Sequence, residues 1–442
     1  VKSVPRKRSF LKNLWGCALK AVSPEACVRG ALSARGGVLR AGRGRFRLRS
    51  GNRAWILAAG KASPGMAKAA AERLGARLAG GVVVFPSGTP CRVPGNLEAL
   101  AAPHPLPGGA SVRAARRMEA LAERARPGDL ALFLISGGAS SLLEIPAPGL
   151  SLRALRMAHA AFLRSGAPVE EINVLRQALS RVKAGRLGEK FVRRGAAVLT
   201  LCLSDHVRDN PAVIGSGPSV APPPGSRALA AGARRLLLRH GLRSRLPPSV
   251  RRVLDSKIPP LPFRAGRAFV AGGHRQALRA MAVFARKRGW RCEIHPALDC
   301  GARAAARRLV RALRRLAEAG RPCMVLGGGE VRVKVMGKGR GGRNQEMALR
   351  MALAVKGWEG VFGLCAGTDG RDGNSPAAGA FFDSSTAARL EEAGLSPARI
   401  LEESDSHAAF RKISDSFVTG PTGTNVMDLY LAGWAPPPAK RP

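Results

Sequence analysis

Gly327-Gly328-Gly329-Glu330, followed by Gly339-Arg340-Gly341-Gly342-Arg343-Asn344-Gln345-Glu346, sets many glycines beside two arginines, an amide pair and two carboxylates. Glycine gives up more backbone entropy than any other residue, so such clusters point to positive φ or close backbone approach to a ligand. Arginine beside such backbone clamps phosphate or carboxylate. This segment reads as half of an anion-handling site, and the rest of the chain must supply the other half.

Several further segments carry suitable groups. Lys61, in Gly60-Lys61-Ala62-Ser63, stands where a strand passes into a helix; a lysine there reaches a phosphate or polarises a reacting oxygen, or is a plain turn residue. It is not part of a Walker A motif, whose GxxxxGK[ST] spacing is absent. Ser136-Gly137-Gly138-Ala139-Ser140-Ser141 offers amides and hydroxyls for an anion cradle, or a capped helix entry. Asn173, Arg176, Ser180 and Lys183 follow i, i+3, i+7, i+10 spacing, which on a helix is one polar face suited to an oxyanion or to solvent. Asp205 and Asp209 precede the Gly215-Ser216-Gly217 turn; two carboxylates suit Mg²⁺ with nucleotide phosphates, or act as turn residues. Thr368-Asp369-Gly370 and Thr419–Asn425 are hydroxyl- and glycine-rich loops with donors for phosphates or hydroxy acids. His104, between two prolines, reads as structural rather than catalytic. There is no GxSxG elbow, and no GxGxxG follows the first strand of the alternating pattern.

Positioning these groups requires a framework, and the pattern of apolar runs supplies one. Strands are expected at Ala54–Ala59, Gly81–Phe85, Leu130–Ile135 and Ala196–Leu203, with helices at Pro64–Leu74 and Ala110–Arg124. The alternation indicates parallel βαβ units, whose ligands gather at the carboxyl ends of strands. Proline-rich breaks at Ala221–Gly225 and Pro247–Pro262 suggest an N-terminal α/β domain over 1–225 and a second α/β domain over 226–442. Strands are expected in the second at Ala268–Gly272, Cys323–Leu326, Val331–Val335, Val361–Ala366 and Ala380–Phe382. Pro436–Pro442 reads as a disordered tail.

Composition narrows the classes. The 442 residues carry 73 Lys+Arg against 29 Asp+Glu, a net charge of +44, with 58 arginines and 15 lysines. The arginines are spread along the chain, and the single tyrosine offers little base stacking, so no dedicated nucleic-acid partner is expected, only incidental polyanion binding. The eight cysteines form no CxxC pair and no zinc spacing, as expected of reduced thiols in a cytoplasmic protein. No apolar run reaches the ~18 residues of a membrane helix, and no membrane partner is expected. The basic opening Val1–Lys20 lacks the apolar stretch of a secretory signal; it reads as a targeting presequence or an amphipathic helix.

In order along the chain, Ala59-Gly60-Lys61-Ala62, His104-Pro105-Leu106-Pro107, Ile135–Ser140, Glu171-Ile172-Asn173 with Arg176, Ser204-Asp205, Ser216-Gly217-Pro218, Gly328-Gly329-Glu330, Gly341–Glu346, Gly367–Gly370 and Thr419–Asn425 resemble the glycerate 2-kinases of the MOFRL type, from about residue 10 to 434. The resemblance implies ATP-dependent phosphorylation of D-glycerate at its 2-hydroxyl. It also implies two α/β domains, the first Rossmann-like with a mostly parallel sheet, and an active site in the interdomain cleft. It carries the catalytic pair over to Lys61 and Arg343. On this reading ATP phosphates meet Ser136, Gly137, Gly138, Ser140, Gly328, Gly329, Glu330, Thr368, Asp369, Gly370, Thr422 and Asn425. Glycerate meets Asn173, Arg176, Lys183 and Asn344, and Mg²⁺ meets Asp205 and Asp209. Asp205, Asp209 and Asp369 stay open as metal ligand or proton acceptor, and a monomer and a homodimer both remain open. The chain departs from the family pattern at Gly108, Gln177, Ala178, Ala184, His206, Arg208 and Val331. A hydroxypyruvate reductase and a weakened relative that binds anions or RNA are the rival classes.

Overall fold

The computed structural model describes residues 3–42, 44–222, 229–256 and 266–437. Residues 223–228, 257–265 and 438–442 lie outside the described residues, and with them the expected boundary at 225 and the end of the Pro247–Pro262 stretch.

The chain forms two compact units, which interleave along the sequence. One holds Pro24–Ser204 and Asp209–Ala271; the other holds Val1–Ser23, Asp205–Arg208 and Gly272–Pro442.

In the first unit, β1 (Leu32–Arg35), β2 (Val38–Ala41) and β3 (Gly44–Arg47) make a small antiparallel meander. The main sheet comprises β4 (Ala54–Ala59), β5 (Leu78–Pro86), β6 (Leu97–Ala102), β7 (Leu130–Ile135), β8 (Ala197–Leu203) and β9 (Arg267–Gly272), in the order β6-β5-β4-β7-β8-β9. The β4–β5, β4–β7, β5–β6 and β7–β8 ladders are all parallel. Every residue of β4 and β7 is buried, as expected of a sheet covered on both faces. The chain leaves β4 outward through β5 and β6, then returns to the other side at β7. That reversal opens a crevice at the carboxyl ends of β4 and β7, where sheets of this kind bind ligands. A separate helical core joins Leu152–Arg164 and Val169–Ala178 to Leu229–Arg239 and Pro248–Asp255 through Leu155, Phe162, Leu175, Leu237, Val250 and Leu254. Residues 229–255 therefore pack with chain that precedes the expected boundary.

The second unit is built on a mixed sheet of β10 (Arg291–Ile294), β11 (Cys323–Gly329), β12 (Val361–Gly367), β13 (Gly379–Asp383), β14 (Ser416–Phe417) and β15 (Asp428–Trp434), in the order β10-β11-β15-β12-β13-β14. Only β10–β11 is parallel. Leu309, Leu313, Met347, Phe382, Phe410 and Tyr430 share its core. The opening helix Ser3–Ala21 belongs here. It buries Leu11, Leu14, Trp15 and Ala18, stacks Phe10 on Trp290 at 5.1 Å, and accepts a 2.8 Å bond from Gln276 at the Ala21 carbonyl.

Val331–Val335 is not a strand. Arg332 forms only an isolated bridge with Gly301, and Val335 is 73% exposed, so the run has no neighbour to extend a ladder. Among the described residues, no helix is long and apolar enough to cross a membrane.

Candidate active site

The crevice between β4 and β7 brings two sequence segments into one. Lys61 N–H donates to the Gly137 carbonyl at 2.9 Å, and Ala62 N–H donates to Ser136 Oγ at 3.1 Å. Gly60, at φ 131°, makes this approach: a Cβ there would lie 2.1 Å from Ser136 Oγ. Gly138 turns the chain at φ 88°, and its own Cβ would lie 3.3 Å from His104 Nε2 and 3.5 Å from Lys61 Cγ. Lys61, Gly138 and His104 thus border one space. The Gly137 and Gly138 amides and the Ser140 hydroxyl bond to no described residue, while Ser141 Oγ is committed to the Gly138 carbonyl.

A second cluster of the same unit centres on buried Glu144. Lys183 Nζ donates to Glu144 Oε2 at 2.9 Å and to the Leu143 carbonyl at 2.6 Å, and its side chain is 1% exposed. Burial pushes the Glu144 carboxyl up; Lys183, a Ser180 hydrogen bond and Arg176 pull it back down. Arg176 is half-buried and makes no hydrogen bond or ion pair with any described residue. Burial lowers its pKa and Glu144 opposes that. His159 is also buried, with Nε2 unpartnered, and burial, then Arg176 and Lys183, holds its pKa well below the usual value. The helix ends at Ala178, so Asn173, Arg176, Ser180 and Lys183 do not share one helical face. Lys183 reaches the cluster from the following turn and faces Glu144, not an open space.

Asn173 is committed too. Its Oδ1 accepts from Ser216 Oγ at 2.7 Å and its Nδ2 donates to the Val213 carbonyl at 3.3 Å. Gln177 binds the Ala212 and Ser216 carbonyls. Both amides therefore hold the Gly215-Ser216-Gly217 turn, whose three residues all have positive φ. Ala184, one of the departures, also has positive φ, at 56°. Gly108, another, packs so closely that a Cβ would lie 2.7 Å from Pro103 Cγ.

In the second unit the Gly341–Glu346 segment turns out to be capped from within. Arg343 opens the helix Arg343–Ala354. Asp372 accepts from the Asn344 and Gln345 amides at 2.9 and 2.8 Å, occupying the helix N-terminus that an anion would otherwise take. Arg343 Nε donates to Asp428 Oδ2 at 2.5 Å, and NH1 is paired with Glu330. Asn344 Nδ2 bonds both Asp372 and Asp428, and Tyr430 adds a bond to Asp428 at 3.1 Å. The two carboxylates hold the Arg343 pKa far above its ordinary value against desolvation, which lowers it. Asp372 is pushed up to about 7, by burial first; the two amides lower it and Asp428 raises it.

Gly328 and Gly329 are buried in β11, laddered to Leu429 and Asp428 of β15. A Cβ on Gly329 would lie 2.2 Å from the Leu298 carbonyl. Their glycine content thus serves packing of the protein on itself, not approach to a ligand. Thr368 is also fully buried: its hydroxyl donates to the Met427 carbonyl at 2.6 Å and accepts from Val426 N–H. Thr422 Oγ1 donates to the Thr368 carbonyl, Asn425 Oδ1 accepts from Met427 N–H, and a Cβ on Gly370 would lie 1.9 Å from the Gly420 carbonyl. These loops are laced to each other. Asp369 Oδ1 accepts from Arg371 N–H at 3.2 Å.

Among the described residues, no group of three His, Cys, Asp or Glu side chains is arranged to hold a metal. Asp205 and Asp209 follow β8, and Asp209 has φ 50°. Carboxylates are the hard oxygen donors that Mg²⁺ takes beside phosphate and water; these two stand in different units. Sequence reasoning missed Glu144 and Asp428, and read Asp372 only as part of a hydroxyl- and glycine-rich loop. For the first two, an acid in an apolar run was the available signal, as in Leu142-Leu143-Glu144-Ile145 and Met427-Asp428-Leu429-Tyr430.

The chain is similar to known proteins over nearly its whole length. Residues 10–255 match the domain of unknown function DUF4147, and residues 323–428 match the MOFRL family. A D-glycerate 2-kinase of Thermotoga maritima is 38% identical over 86% of this chain and 90% of its own. A protein of Agrobacterium vitis provisionally named hydroxypyruvate reductase is 37% identical over 85% of each chain. A crystal structure of glycerate kinase from Thermotoga maritima superposes with a TM-score of 0.83 at 34% identity, covering 98% of this chain and 100% of that one.

Proposed function

Since the chain belongs to the glycerate kinase family, we propose that it transfers the γ-phosphoryl group of ATP to the 2-hydroxyl of D-glycerate, releasing 2-phospho-D-glycerate and ADP. The observation that carries this reading is the crevice between β4 and β7. Lys61, the uncommitted amides of Gly137 and Gly138 and the Ser140 hydroxyl border it, and Arg176 keeps an unpaired guanidinium in the same unit.

Phosphoryl transfer needs positioning and charge neutralisation more than covalent help. The Gly137–Ser140 donors hold phosphate oxygens. Lys61 offsets charge that develops on the transferring group, where a positioned donor acts most strongly. Arg176 takes an anionic oxygen of substrate. Arg343, in the other unit, has five N–H donors, three of them used by Asp428 and Glu330, which leaves two uncommitted. Of the two acids after β8, Asp209 lies in the unit of the crevice and would hold Mg²⁺, which when bound would neutralise phosphate charge.

ADP release measured with D-glycerate, L-glycerate and hydroxypyruvate, with the phosphorylated carbon located by NMR, tests the assignment. Phosphate on C2 of D-glycerate is expected. Phosphate on C3 refutes the 2-kinase reading, and NADH oxidation with hydroxypyruvate in place of ADP release replaces it with a reductase.

A further inference from the structure

The kinase reading leaves one step without a named group, namely removal of the proton from the attacking hydroxyl. We propose that His104 is the general base, accepting that proton on a ring nitrogen as the phosphoryl group is transferred. This assignment rests on the kinase reading above.

Placement is the first argument. His104 Nε2 lies 3.3 Å and Cδ2 3.2 Å from the position of a Cβ on Gly138, beside Lys61 Cγ. The imidazole therefore borders the space bounded by the lysine and the loop amides. Second, the ring is solvent-accessible and makes no hydrogen bond with any described residue, so its nitrogens are open to a substrate hydroxyl. Third, the charged groups that face it are both cations. Partial burial, then Lys61, then Arg176, lowers its pKa, and the Ser136–Gly138 loop contributes no charge. The ring is thus neutral at pH 7, the form that can accept a proton. A carboxylate between those cations would be too weak a base, and a lysine would already be protonated; a general base works best with a pKa near the working pH.

The step balances. The hydroxyl proton passes to the imidazole while the oxygen lone pair forms the bond to the γ-phosphorus. The bond from that phosphorus to the bridging oxygen breaks, and its electron pair leaves with ADP. Water then takes the proton from the imidazolium.

The test measures ADP release by the full chain with saturating ATP and D-glycerate between pH 5 and 9, for wild type, His104→Gln and His104→Ala. In wild type, kcat should fall at acid pH with a midpoint below the ordinary histidine value of about 6.5. Both variants should lose ~10²-fold or more in kcat and lose that acid limb, with KM for ATP within about threefold. Added imidazole should restore at least about tenfold to His104→Ala. Wild-type kcat, or a retained acid limb, in His104→Gln with an unchanged Tm overturns the assignment and leaves the kinase reading intact. Wild type that turns over no D-glycerate overturns both.

Discussion

Arg176 stands half-buried without a carboxylate bonded to it, whereas Arg343 is fixed by Asp428 on one side and Glu330 on the other. Their neighbourhoods differ in the same sense. Lys61, Lys183 and Arg176 share their unit's cluster with one buried acid, Glu144. Arg343 stands among Glu330, Asp428 and Asp372. The first arrangement has cationic charge left over and attracts an anion. The second has none left over, so Arg343 contributes the direction of its remaining N–H groups, held rigidly, rather than net charge. An arginine in a glycine-rich segment is thus not one kind of evidence; what matters is which acids the fold has already given it.

The sharpest way to break this comparison is to remove each guanidinium. Arg343→Met strands Asp428, which is 3% exposed, and unfolding free energy should fall by about 3–5 kcal/mol, the cost of an uncompensated buried charge. Arg176→Met strands nothing and should change stability by under about 1 kcal/mol in the same urea titration. Equal losses would erase the distinction.

The acidic cluster should also carry a pH dependence. Asp372 has its folded pKa raised to about 7, so its contribution to stability is fully present below the unfolded value and is lost as pH rises through 7. Wild type should therefore lose stability relative to Asp372→Asn between pH 4 and 8, by on the order of 4 kcal/mol. A pH-independent difference would show that the amides of Asn344 and Gln345 outweigh burial.

On the cationic side the expected effect is kinetic. Lys61→Met and Arg176→Met should each lower kcat/KM for D-glycerate at least ~10²-fold, about 3 kcal/mol of transition-state stabilisation. Near-wild-type turnover in both would remove this cluster from the reaction. Ala184→Gly should show the smallest change. It relieves a left-handed alanine and should stabilise by up to about 1 kcal/mol, read as a small rise in Tm. A fall in Tm would mean that the alanine methyl packs better than its backbone is strained.

Much of the first unit was legible because parallel strands buried on both faces leave continuous apolar runs. Ala54–Ala59 and Leu130–Ile135 stand where the sequence puts them, with Gly60-Lys61 and Ser136-Gly137 at their ends. In the second unit the α/β class was legible, but the strand Asp428–Trp434 was not. There β15, opening on Asp428 and carrying Gly433, lies between β11 and β12 and makes the sheet mostly antiparallel, a pairing that arises from contacts distant in sequence. At the site, residue types were readable but their partners were not. Lys183 and Asn173 looked available on paper, yet Glu144 and Ser216 already hold them. His104 was read as structural because its neighbours in the chain are prolines; its neighbours in space are Gly138 and Lys61.

The opening helix has a consequence for synthesis. Ser3–Ala21 leaves the ribosome well before the surfaces it packs on, the helix His274–Arg286 and Trp290, which are made more than 250 residues later. Residues 24–204 can close their own sheet in the interval, while Leu11, Leu14 and Trp15 wait unburied. A nascent chain stopped short of residue 272 would expose this apolar face, and should be captured by chaperones that the finished chain escapes.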